Sequence, residues 1–154
     1  MNKYNRFSRE CAFSDLNPGL ATAIRKHIEL YKLDDTESSP LICLETTSTH
    51  QKTGLFANGT ETIITGVMIT ANMLIWTTGK ERNPIVMSAL LRNIDAQDFE
   101  NTAMYKVKPD SGMNITGRYT DVTKQGRSFI GLGSDPDGEK FRQMLQLSIQ
   151  KALP

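Results

Sequence analysis

The chain has 154 residues, 38% hydrophobic and 23% charged, with 18 basic side chains against 17 acidic ones for a net charge of +1. That balance belongs to a globular protein rather than a disordered chain, and the length suits a single domain, 1–154, with a sizeable core. The lack of a basic excess argues against a nucleic-acid binder, and no apolar run approaches the length of a membrane span.

Residues 1–14 read as a polar tail without the apolar stretch of a secretory signal, so the chain is expected in the cytoplasm with Cys11 and Cys43 as reduced thiols. The two cysteines lack metal-ligand spacing, and neither a metal nor a cofactor is expected. A helix over 17–33 starts at Asn17-Pro18, a cap followed by proline at the first helical position. Leu20, Ile24, Ile28 and Tyr31 form its apolar stripe. DDTESSP, Asp34 to Pro40, reads as an acidic linker.

From Leu41 the period is that of strands. LICLETTSTH is followed by a long turn, QKTGLFANGT. In ETIITGVMIT, Ile63, Thr65, Val67 and Ile69 face one way, and Thr62, Ile64, Gly66 and Met68 the other. Ala71-Asn72 closes a hairpin into MLIWTT, where Asn tolerates the left-handed backbone of a tight turn. IVMSALL, AMYKVK, MNITGRYT and RSFIGL complete seven short strands, with NIDAQDFENT as a mixed stretch and Thr123 to Gly126 as a turn. Seven such runs predict an antiparallel sandwich or small barrel.

GLGSDPDGEKF, Gly131 to Phe141, resembles a phosphate loop only superficially. A Walker loop requires Lys and then Ser or Thr directly after its last glycine, and Gly138 is followed by Glu139. Pro136 occupies the third-glycine position of a dinucleotide loop, and a calcium loop would need its glycine two positions later. Ser134 to Asp137 instead reads as a capping box, with Phe141, Met144, Leu145, Ser148, Ile149 and Ala152 as the stripe of a C-terminal helix.

ITGVMITANMLIWTT resembles the second-to-third-strand hairpin of bacterial pleckstrin-homology-like (PH-like) and GRAM-like domains. FIGLGSDPDGEKFRQMLQLSIQKAL is similar to their last strand, turn and capping helix. The resemblance covers about Leu41 to Leu153 and leaves the first helix outside. It implies a mainly β (α+β) fold over 41–153: a seven-stranded antiparallel barrel or sandwich whose C-terminal helix fills an open corner with Phe141, Leu145 and Ile149. It further implies a non-catalytic interaction module, with an unknown protein or a second copy as partner.

In that topology the loops after strands one, three and six share one end and carry Lys52, then Lys80 and Arg82, then Lys124 and Arg127. Convergent cations of this kind would give weak binding of anionic lipid head groups or phosphorylated ligands. The chain departs from inositide-binding relatives, since Leu41 to Thr70 holds only Lys52, with Glu45 and Glu61 nearby. High-affinity head-group recognition is not expected. The third reading is an enzyme on another α+β fold, with His27 or His50 as base. No Ser-His-Asp order, HExxH, CxxC or nucleophile elbow accompanies either histidine. Trp76 and Cys43 read as core, and Asp95, Asp98 and Glu100 as a solvated acidic segment.

Overall fold

The structure is a computed structural model describing residues 3–33, 40–55, 59–121 and 124–154. Strands β1 (Asn5–Glu10), β2 (Ile42–Gln51), β3 (Thr60–Ile69), β4 (Met73–Thr78) and β5 (Ile85–Leu90) form one antiparallel sheet in that order. Strands β6 (Ile94–Asp98), β7 (Gly112–Arg118) and β8 (Gln125–Gly131) form a second. Helix α1 (Pro18–Leu30) lies between β1 and β2, a single turn α2 (Met104–Val107) between β6 and β7, and α3 (Pro136–Ala152) ends the fold. The architecture is mainly β with a C-terminal helix. No helix among the described residues is long and apolar enough to cross a membrane.

Alternation along the strands sorts the core into two layers. Ile42, Leu44, Val67, Ile69, Leu74 and Trp76 face the second sheet and α3, where they meet Met113, Ile115, Phe141 and Leu145. Cys43, Met68 and Ile75 face the opposite way and are covered by Phe13, Leu16, Ala21 and Ile24 at and around α1. A sheet buried on both faces explains why MLIW is continuously apolar.

The polar tail expected at 1–14 is corrected: residues 5–10 form β1, pairing with β2 from Asn5↔Thr49 to Glu10↔Leu44. Its pattern is inverted, because Ser8 is 2% exposed while Phe7 is 61% exposed. The Ser8 hydroxyl lies 2.7 Å from the Thr46 hydroxyl and accepts from the Gly133 amide at 2.8 Å. A polar residue facing inward carries no hydrophobic signature.

AMYKVK is not a strand. Strands β6 and β7 pair directly, ending at Asp98↔Met113, so the residues between them loop out. There Thr102 bonds back to the Phe99 carbonyl, Tyr105 packs edge-on to Phe99, and α2 follows. The mixed stretch supplies β6 instead, with Ile94 and Ala96 as its buried positions. The sheets do not close into a barrel. The edge of β2 is occupied by β1, and α3 packs beside it.

The glycine-rich segment is a helix start, with a cap one residue later than expected. Asp135, not Ser134, is the N-cap, accepting from Gly138 N at 2.8 Å. Its other oxygen accepts from Ser8 N at 2.8 Å, and Asp137 accepts from Glu10 N at 2.9 Å. Two amides of the β1 edge thus end on carboxylates of α3, which blunts that edge. A Cβ on Gly138 would run into the Gly133 carbonyl, so the glycines serve close approach rather than phosphate. The linker at 34–40 and the turn at Thr123 to Gly126 fall in part outside the described residues.

Candidate functional site

Strands β2 and β4 are both antiparallel to β3 and leave the sheet at the same end, where Lys52 and Lys80 emerge. Lys80 Nζ is 3.8 Å from Glu61 Oε1, whose partner oxygen lies 3.5 Å from His50 Nε2. Arg82 lines a cleft with Pro18, Thr22 and Lys26 along α1 from its first turn. The β7–β8 turn starts elsewhere: Thr120 bonds to Ser88, and Asp121 acts electrostatically on His27 in the second half of α1. Lys124 precedes β8 and Arg127 is exposed on it, opposite Thr116. Lys52 and Lys80 therefore share an end, while Arg82 lies by the start of α1 and the turn leading to Lys124 begins beside its second half.

His27 is buried, with Nε2 2.7 Å from the Ser88 hydroxyl, which in turn donates to Thr120 at 2.7 Å. Burial lowers its pKa, with Asp121 opposing, so the ring is neutral and sits against Tyr31. The serine is fully buried, which makes this chain of hydroxyls a tie between α1, β5 and the β7 end. His50 lies at the end of β2 against Tyr4, in an open cleft with Lys3, Asn5, Thr49 and Thr60. Cys11, one residue past β1, lies beside Cys43 of β2, its amide donating to Cys43 O at 3.0 Å. Burial pushes both thiols up, Cys43 the further.

The acidic segment is not simply solvated. The Arg142 side chain donates to Asp98 at 2.9 Å, to Glu100 at 2.9 and 3.1 Å, to Gly112 O at 3.1 Å and to the Ser111 hydroxyl at 3.1 Å. Burial opposes its charge, yet the two carboxylates prevail and hold its pKa above the ordinary value. This network fastens α3 to β6 and β7.

A basic, concave surface occupies the opposite end of the first sheet. A cleft of about 570 Å³ lies between the β3–β4 turn and the last turns of α3, lined by Leu41, Ala71, Met73, Leu90, Arg92, Lys151 and Ala152 among others. A second, of about 420 Å³, is lined by Lys32, Leu33, Met73, Leu90, Arg118 and Tyr119 among others. Both are lined by the cross-strand pair Met73↔Leu90, so the two clefts adjoin there, and together they are called the trough. Lys32, Arg92, Arg118 and Lys151 are exposed in its lining, and among the described residues no carboxylate lines it and none of the four is ion-paired. Tyr119 is rigid there: its ring stands edge-on to Trp76 at 5.1 Å, its hydroxyl donates to Ile115 O at 2.6 Å, and burial pushes its pKa up to about 12.

Sequence reading missed this surface because its cations are scattered between positions 32 and 151, each at or near the end of an element. Lys32 and Lys151 read as ordinary complements to helix-end carbonyls and Arg92 and Arg118 as residues at or just past strand ends, so only the fold reveals their proximity. Comparison with protein-family models, curated proteins and solved structures finds no match to the chain.

Proposed function

We propose that residues 41–153 form a PH-like domain, with β1 and α1 added outside it, acting as a non-catalytic interaction module for a partner protein or a second copy. The strand order supports this reading: four consecutive antiparallel strands β2–β5, three more β6–β8, then the packed helix α3. The observation that carries the functional half is the trough, a concave surface with an apolar floor and a cationic rim. Apolar side chains beneath exposed lysines and arginines are the chemistry of a docking surface. The same reading places the module in a bacterial cytosol, where Cys11 and Cys43 stay reduced. Anion binding through Lys52 and Lys80 is the second reading, favoured by their shared end of the sheet and weakened by Glu61 between Lys80 and His50.

Photo-crosslinking in the source cell tests the module. A benzoylphenylalanine at Leu41, on the trough wall, should give a discrete crosslinked product, and the same group at Leu55, outside the trough, should not. Mass spectrometry of the product separates a second copy from another protein. Crosslinks from Leu55 alone, or from neither position, would contradict the reading.

A further inference from the structure

The geometry points to an acidic, amphipathic peptide segment of a partner protein as the occupant of the trough, an inference that rests on the interaction reading above. Charge complementarity is the first reason. Lys32 and Arg118 line one of the two adjoining clefts and Arg92 and Lys151 the other, and no carboxylate is among the described residues of either lining. The C-terminal ends of α1 and α3 both lie there and supply about half a negative charge each. The four side-chain charges outweigh these two partial ones. Exposed lysine and arginine side chains at a concave surface favour an acidic counterpart over a basic one.

Shape and floor are the second reason. Leu41, 52% exposed, together with Leu33, Met73 and Leu90, presents apolar surface below the cations. The clefts meet at Met73 and Leu90, so two anchors of one segment can seat on either side of that pair. A flat bilayer surface would meet the rim cations without reaching the floor, whereas a peptide with leucine-like anchors and flanking carboxylates satisfies both.

Fluorescence anisotropy on the full chain tests this. The probe is a labelled peptide with leucine at helical spacing and glutamate elsewhere, compared with lysine-for-glutamate and serine-for-leucine counterparts. The glutamate–leucine peptide should bind at least about tenfold tighter than either, and added salt should weaken it. Combined Arg92→Glu and Lys151→Glu should weaken binding about tenfold, with unchanged circular dichroism, whereas Lys52→Glu with Lys80→Glu should alter it less than about twofold. Equal binding of the lysine or serine peptide would overturn the inference, as would binding insensitive to Arg92 and Lys151. Binding of phosphatidylglycerol vesicles through these cations, without peptide binding, would assign the surface to a membrane instead. A crosslinked partner segment at Leu41 that proved basic or neutral would reject the acidic partner while leaving the module standing. The absence of any crosslink would reject the module itself.

Discussion

Replacing Arg142 with methionine tests how α3 is held to the second sheet. Methionine keeps much of the apolar stem but removes every hydrogen bond to Asp98, Glu100, Gly112 O and Ser111. Breaking a fully buried charge pair by deleting one partner costs about 3–5 kcal/mol. Here the arginine side chain is 8% exposed, but Glu100 is 33% and Asp98 39% exposed, so water can rehydrate the abandoned carboxylates. The buried Gly112 carbonyl recovers less, while Ser111 keeps its bond to Leu132 O. Halving the buried-pair figure gives an expected loss of about 2 kcal/mol, or about 1 M in urea midpoint at a typical slope.

Urea unfolding followed by circular dichroism measures it at neutral and acidic pH. Burial opposes the charge on Glu100, but the Arg142 hydrogen bonds prevail and hold its carboxyl below the ordinary value of 4.5. A depressed folded pKa contributes stability that is present above the unfolded value and lost as pH falls through the folded one. The gap between wild type and Arg142→Met should therefore narrow below about pH 4.5. Adding Asp98→Asn and Glu100→Gln to Arg142→Met should recover part of the loss, since the stranded charges go with it. A loss below about 0.5 kcal/mol, or a gap that widens in acid, would refute the reasoning.

Phe141→Ala should cost about 3–5 kcal/mol by denaturant midpoint, because the ring is fully buried between the sheets; an unchanged midpoint would show that α3 does not close the core. Both thiols should react with a disulfide reagent in urea without prior reduction, and Cys43 should be protected in the native state; native and denatured rates that match would contradict its burial. For His27, the folded pKa lies below the unfolded value of about 6.5, so the unfolded chain takes the proton first and stability is lost as pH falls below that value. His27→Gln should abolish that component of the pH–stability curve between pH 7 and 5 and keep the hydrogen bond to Ser88; a superimposable curve would remove His27 as its source.

Legibility in the sequence followed chemistry with a period. Six of the seven expected strands and both long helices stand, because β2–β5, β7, β8, α1 and α3 bury regular apolar stripes. Strand β1 was hidden because Ser8 faces inward and Phe7 outward, and its pairing depends on β2, more than thirty residues away. Strand β6 offers only Ile94 and Ala96, while AMYKVK alternates well yet has no strand left to pair with. Local propensity cannot report such competition for partners. The Cys11–Cys43 contact and the four trough cations were hidden for the same reason, since only the fold brings them together. Convergence of Lys52, Lys80, Arg82, Lys124 and Arg127 follows only from the loop arrangement that the PH-like resemblance implies and has no local signal in the sequence.

Backbone amide NMR during titration with the glutamate–leucine peptide tests the trough most directly. Shift changes should be confined to Leu33 and Leu41, the β3–β4 turn at 70–73, Leu90 to Asn93, Arg118 to Thr120 and the α3 end at 148–152, and should disappear with Arg92→Glu and Lys151→Glu. Changes centred instead on His50, Lys52 and Lys80, or spectra that do not move at saturating peptide, would contradict it.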